Sequence, residues 1–97
     1  MQARLSELLF EIWYDPEDNT YQMTQVCLRS DVLRSKVSPN AVLAHSYIAY
    51  SDYQAFQHNN DWHGFGQWSP PVDLGEHFFT EEEQRQQQDY LRHRKVG

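Results

Sequence analysis

Leu5-Ser6-Glu7-Leu8-Leu9-Phe10-Glu11-Ile12-Trp13-Tyr14 alternates along its length. Leu8, Phe10, Ile12 and Tyr14 fall on one face, and Leu9, Glu11 and Trp13 on the other, which is the pattern of a β-strand. Asp15-Pro16-Glu17-Asp18-Asn19-Thr20 follows as turn chemistry: Pro16 presets φ, and Asp18 or Asn19 can enter the left-handed region. Tyr21 to Arg29 then alternates weakly and reads as the return strand, so residues 5–29 are expected to form an antiparallel hairpin. Two strands alone are marginal in water, so the hairpin needs a helix, a third strand or a partner's sheet against it.

Downstream the pattern is less decisive. Residues 30–37 suit a short helix or a strand equally. Ser38-Pro39 resembles an N-cap followed by proline at the first helical position, and the preferred reading is one aromatic-rich helix over 39–58. The competing reading makes Val42 to Tyr50 a third strand and lets Ser51-Asp52-Tyr53-Gln54 open a shorter helix. Residues 59–79, with His63-Gly64-Phe65-Gly66 and Ser69-Pro70-Pro71, are expected as an aromatic loop. Thr80-Glu81-Glu82-Glu83 forms a capping box and opens a polar C-terminal helix over 80–95, supported by a Glu81–Arg85 pair. Tyr90 and Leu91 are the helix's only sizeable apolar residues, which places it on the surface or projecting from it. The fold class is therefore α+β in one small domain spanning 1–97.

The composition sharpens that expectation. The chain is 39% hydrophobic with three Trp, six Tyr and five Phe, so aromatic rings must supply much of any buried area. No run approaches the roughly 20 apolar residues of a membrane span, and Glu7 and Glu11 interrupt the only early apolar run, so neither a secretory leader nor a membrane segment is expected. The single Cys27, between Val26 and Leu28, reads as an inert core thiol in a reducing, cytoplasmic setting. The net charge is -6, and much of the positive charge gathers in Arg92, Arg94 and Lys95. Such a body repels phosphate backbones, which disfavours nucleic acid.

The sharpest pattern is an aromatic at every third position, Tyr47, Tyr50, Tyr53, Phe56, then Trp62, Phe65 and Trp68. On an α-helix each three-residue step slips by about 60°, so these rings cannot all face one core. Some are expected to be buried and the surplus to form a partner-binding surface of Tyr50, Tyr53, Trp62, Phe65 and Trp68. A protein partner follows, with a homodimer as a further expectation because the hairpin and the thin aliphatic core both need cover.

Catalytic chemistry has weaker signals. His58, Asp61 and His63 place two imidazoles and a carboxylate within one short segment, the ligand types of a zinc hydrolase, but the spacing matches no metal motif. Asp15, Glu17 and Asp18 lack the glycine and terminal Glu of a calcium loop. There is no nucleophile elbow and no phosphate-cradling glycine loop. No cofactor is expected. The reading is a small acidic, non-enzymatic binding or regulatory protein, of the kind that inhibits a basic partner. A metal-dependent hydrolase and an accessory subunit docking through its C-terminal helix are the alternatives.

Overall fold

The computed structural model describes residues 5–94. The start Met1 to Arg4 and the final residue of the expected 80–95 helix lie outside the described residues. The elements are β1 (Leu8–Asp15), β2 (Thr20–Gln25), α1 (Leu28–Val37), β3 (Val42–Ala49), α2 (Asp52–His63) and α3 (Glu81–His93). The three strands form an antiparallel sheet in the order β2-β1-β3. The fold is α+β, with the N-terminal hairpin and the polar C-terminal helix in place. Among the described residues, no helix is long and apolar enough to cross a membrane.

The hairpin closes as its turn residues dictate. Asn19 takes a left-handed φ of 58°, and the Tyr14 hydroxyl donates to Asn19 Oδ1 at 2.7 Å. The return strand is shorter than expected: it ends at Gln25, and Leu28 and Arg29 already belong to α1. Cys27 is not a core thiol but a half-buried N-cap, its Sγ accepting from the Ser30 N–H at 3.5 Å.

The single helix expected over 39–58 is not what forms. Ser38 ends α1, donating its N–H to Arg34 O at 2.7 Å, and Pro39 lies just past that stop. Val42–Ala49 is a strand, and the new helix begins at Ser51, whose hydroxyl accepts from the Gln54 N–H at 3.1 Å. Local propensity left the segment open. The second edge of β1 decides it, because its backbone groups and its apolar face both need a neighbour. α2 also runs further than expected, through His63 to a left-handed Gly64, so the loop begins there rather than at Asn59.

One face of the sheet carries the apolar core: Leu8, Phe10 and Ile12 of β1 with Tyr47, Ala49, Ala55 and Phe79, and Met23 packed against them. Phe10 stacks on Tyr47 at 5.7 Å, and the Tyr47 hydroxyl donates to Ala55 O at 2.8 Å, fastening α2 to β3. Burial pushes the Tyr47 phenol up to about 12.

The other face mixes apolar Leu9, Trp13, Leu43 and Ile48 with the charged Glu11. α1 turns its Ser30, Asp31 and Arg34 toward the protein and leaves Leu28, Val32, Leu33 and Val37 exposed. Glu11 is buried on this face of β1 and needs a cationic partner. Arg94 supplies one, and Arg34 lies 3.7 Å over the Trp13 ring while pairing with Asp31 at 3.0 Å. α3 docks here without an apolar stripe. Gln84 Oε1 accepts the Glu7 N–H at 2.8 Å, and Gln87 Oε1 accepts the Leu9 N–H at 2.7 Å. Gln87 Nε2 donates back to Leu9 O at 3.0 Å and to Val26 O at 2.9 Å. These side-chain amides continue the β1 ladder beyond the point where β2 ends. At its start α3 has the expected capping box between Thr80 and Glu83, but Arg85 pairs with Glu82 rather than Glu81.

Candidate protein-binding surface

The aromatic series straddles three kinds of structure, so its members separate. Tyr47 sits in β3 and is buried; Tyr53, Phe56 and Trp62 lie on α2; Phe65 and Trp68 follow on the loop. Facing the sheet, α2 uses Ala55, His58 and Trp62. Its outer side presents Tyr53, Phe56 and Gln57.

Gln57 organises the outer surface. Its Nε2 donates to Asp61 Oδ1 at 2.9 Å and to Gly66 O at 3.3 Å, and its Oε1 accepts the Trp68 N–H at 2.9 Å. The loop is thereby folded back along the helix, where Trp68 stacks on Phe56 at 4.9 Å and meets the edge of Tyr53 at 5.1 Å. Tyr53, Gln57, Trp68, Pro70 and Glu76 line an open groove of about 400 Å³. Its border is acidic. Asp73 accepts from the Tyr53 hydroxyl, Glu76 from the Ser51 hydroxyl, and Asp52 Oδ1 from the His77 N–H at 3.0 Å. The hydrogen bond to Asp73 pushes the Tyr53 phenol up to about 12 and holds the Asp73 carboxyl below its usual range.

A second aromatic cluster lies at the other end of α2. Trp62 stacks on His45 at 5.5 Å and meets Tyr21 of the hairpin edge-on at 5.7 Å. His63 packs against Tyr21 at 5.0 Å and stacks under Phe65 at 4.7 Å, leaving Phe65 68% exposed. Of the five residues expected to form one surface, Tyr53 and Trp68 share the groove, and Trp62 and Phe65 share this cluster. Tyr50 joins neither: it lines a separate hollow with Glu7, Gln84 and Arg85.

The suggested metal ligands do not converge. Asp61 is held by Gln57, His63 is stacked under Phe65, and His58 faces His45 with Nε2 atoms 3.1 Å apart. Among the described residues, no group of three or more His, Cys, Asp or Glu is placed to hold a metal ion. His58 is instead a structural group stacked 3.9 Å over Tyr47. Burial lowers its pKa, the neighbouring His45 lowers it further, and Asp61 opposes them.

Sequence reading missed Gln57, Gln84 and Gln87, the residues that place the loop and α3. A glutamine in a polar helix carries no local signal of the backbone it will meet. No protein family, curated protein or solved structure matches this chain, so the site is read from its own chemistry.

Proposed function

We propose that the chain is a small acidic, non-enzymatic protein-binding module that acts on a basic partner, in the simplest case as an inhibitor. The observation that carries this reading is the groove beside Trp68, where a rigidly held indole and a tyrosine ring stand within an acidic border of Asp52, Asp73 and Glu76. Rings immobilised before binding lose little entropy on contact, and aromatic anchors dominate interface energetics. The acidic border favours a segment carrying Lys or Arg beside an apolar or proline side chain, and repels phosphate backbones. Phe65 and Trp62 extend the apolar area toward the hairpin. A second copy of the chain is a further expected partner, and the lone Cys27 suits a reducing, cytoplasmic compartment.

Capture of partners from a host lysate with the full-length chain, read by mass spectrometry, tests this. A basic protein should be retained by the wild type and lost with Trp68→Ala, and retention should weaken as salt rises. If the captured set is the same for the wild type and for folded Trp62→Ala and Trp68→Ala variants, the reading is wrong.

A further inference from the structure

β3 is an edge strand with an open outer side. Val26 donates its N–H to Leu9 O at 3.1 Å, so Leu9 faces β2, and by alternation Leu8, Phe10 and Ile12 turn their backbone groups to β3. Their register partners Ala49, Tyr47 and His45 turn theirs to β1. The outward groups are therefore those of Ser46 and Ile48, and among the described residues neither makes a backbone hydrogen bond outside the sheet. The edge is closed only beyond them. Tyr50 O accepts the Phe79 N–H at 3.0 Å, and the Tyr50 N–H donates to Gln54 Oε1 at 3.0 Å.

Edge strands are ordinarily protected by charge, proline or a bulge. Val42–Ala49 (Val-Leu-Ala-His-Ser-Tyr-Ile-Ala) has no Lys, Arg, Asp, Glu or Pro, although the chain as a whole carries -6. A bulge is present, but it sits opposite the Ile12/Trp13 step and leaves His45–Ala49 regular. On the face shared with Leu9 and Trp13, the side chains of Leu43 and Ile48 are half exposed.

We propose that β3 pairs antiparallel with β3 of a second copy of this chain, joining two three-stranded sheets into one of six strands. Three observations select a second copy. The strand that fits this edge must be uncharged and extended, and β3 is itself such a strand. β3 carries no Asp, Glu, Lys or Arg, so the pairing brings no like charges face to face along the strands. A two-fold β3–β3 pairing is closed, leaving as outer edges only the polar β2 strands (Thr-Tyr-Gln-Met-Thr-Gln), whereas β3 on β2 would grow without limit. This deepens the self-association expected above and does not rest on the aromatic groove, which lies on the outer side of α2.

Light scattering behind size exclusion, on the full chain across the micromolar range, tests the inference. The wild type should run as two chains. Ser46→Pro removes an outward N–H at an edge position where proline is tolerated, and Ile48→Lys adds the missing edge charge. Both should run as single chains with the wild-type circular dichroism spectrum. Trp68→Ala should stay a dimer, which separates this contact from partner binding. A monomeric wild type throughout the range overturns the inference. So does a dimer that survives folded Ile48→Lys, whether or not Ser46→Pro folds, or a dimer lost in Trp68→Ala and kept in Ile48→Lys.

Discussion

Arg94 grips both carboxylate oxygens of Glu11, its Nη1 donating to Oε2 at 2.9 Å and its Nη2 to Oε1 at 2.7 Å. The same guanidinium reaches Asp31 through Nε at 2.8 Å, so one side chain ties β1, α1 and the end of α3 together. Both members of the Arg94–Glu11 pair are less than a tenth exposed. Glu11 raises the Arg94 pKa further above its already high value. Burial alone would raise the Asp31 carboxyl, but hydrogen bonds from Arg94, Tyr90 and Arg34 outweigh it and hold the group below its usual range.

Removing one member of such a pair leaves the other charged and buried. Arg94→Ala should therefore destabilise the chain by about 3–5 kcal/mol, read as a lowered urea midpoint. Replacing Glu11, Asp31 and Arg94 together by apolar residues of similar volume should cost less than Arg94→Ala alone. A loss near zero for the single variant would mean that the network does not hold α3.

Gln87 is buried, and its side-chain amide makes three hydrogen bonds to the backbone of Leu9 and Val26. Gln87→Leu keeps the bulk and adds apolar character, yet strands the Leu9 N–H and the Val26 carbonyl, while Leu9 O keeps the Val26 N–H. It should destabilise by about 2 kcal/mol or more. Gln84→Ala, which frees only the Glu7 N–H, should cost less than Gln87→Leu in the same denaturation series. Were α3 held by ordinary apolar packing, Gln87→Leu would stabilise.

Burial of His58, with His45 beside it, makes stability depend on pH. The folded-state pKa of His58 lies below its ordinary value of 6.5, so the unfolded chain binds the proton more readily. The contribution is fully present above pH 6.5 and is lost as the pH falls below it toward the folded-state value. Thermal melts between neutral and mildly acidic pH should show this decline, and His58→Gln should flatten it. An equal slope in that variant would place the dependence elsewhere.

Gln57→Ala should release the loop from α2 while the sheet stays intact. The loss of stability should be small, about 1 kcal/mol. Trp68 should become more accessible to acrylamide quenching, and capture of the basic partner should weaken as it does for Trp68→Ala. Unchanged quenching would mean that stacking on Phe56 alone positions the indole.

Two phenols are pushed up to about 12 for different reasons, Tyr47 by burial and Tyr53 chiefly by its bond to Asp73. Asp73→Asn should return Tyr53 toward its ordinary value of 10, leaving Tyr47 high, in a spectrophotometric titration. Both remaining high would remove Asp73 as the cause.

What could be read from the chain alone was local. Alternation in β1, the Asn19 turn and the Thr80–Glu83 box rest on residues a few positions apart, whose chemistry is written side by side; the Ser51 N-cap was legible only as the competing reading to a helix over 39–58. The aromatic surplus was legible too, though not its division into a groove at Trp68 and a cluster at Phe65, which depends on how Gln57 folds the loop back. Tertiary structure decided the rest. Val42–Ala49 became a strand because β1 had an edge to fill, and α1 turned its polar side inward, where its Asp31 shares with Glu11 the guanidinium of Arg94, far along the chain. α3 lacks an apolar stripe because its glutamines pair with backbone at Glu7, Leu9 and Val26. Partners so distant in sequence leave no periodic trace, because a side-chain amide meeting a backbone amide imposes no pattern on the residues around it.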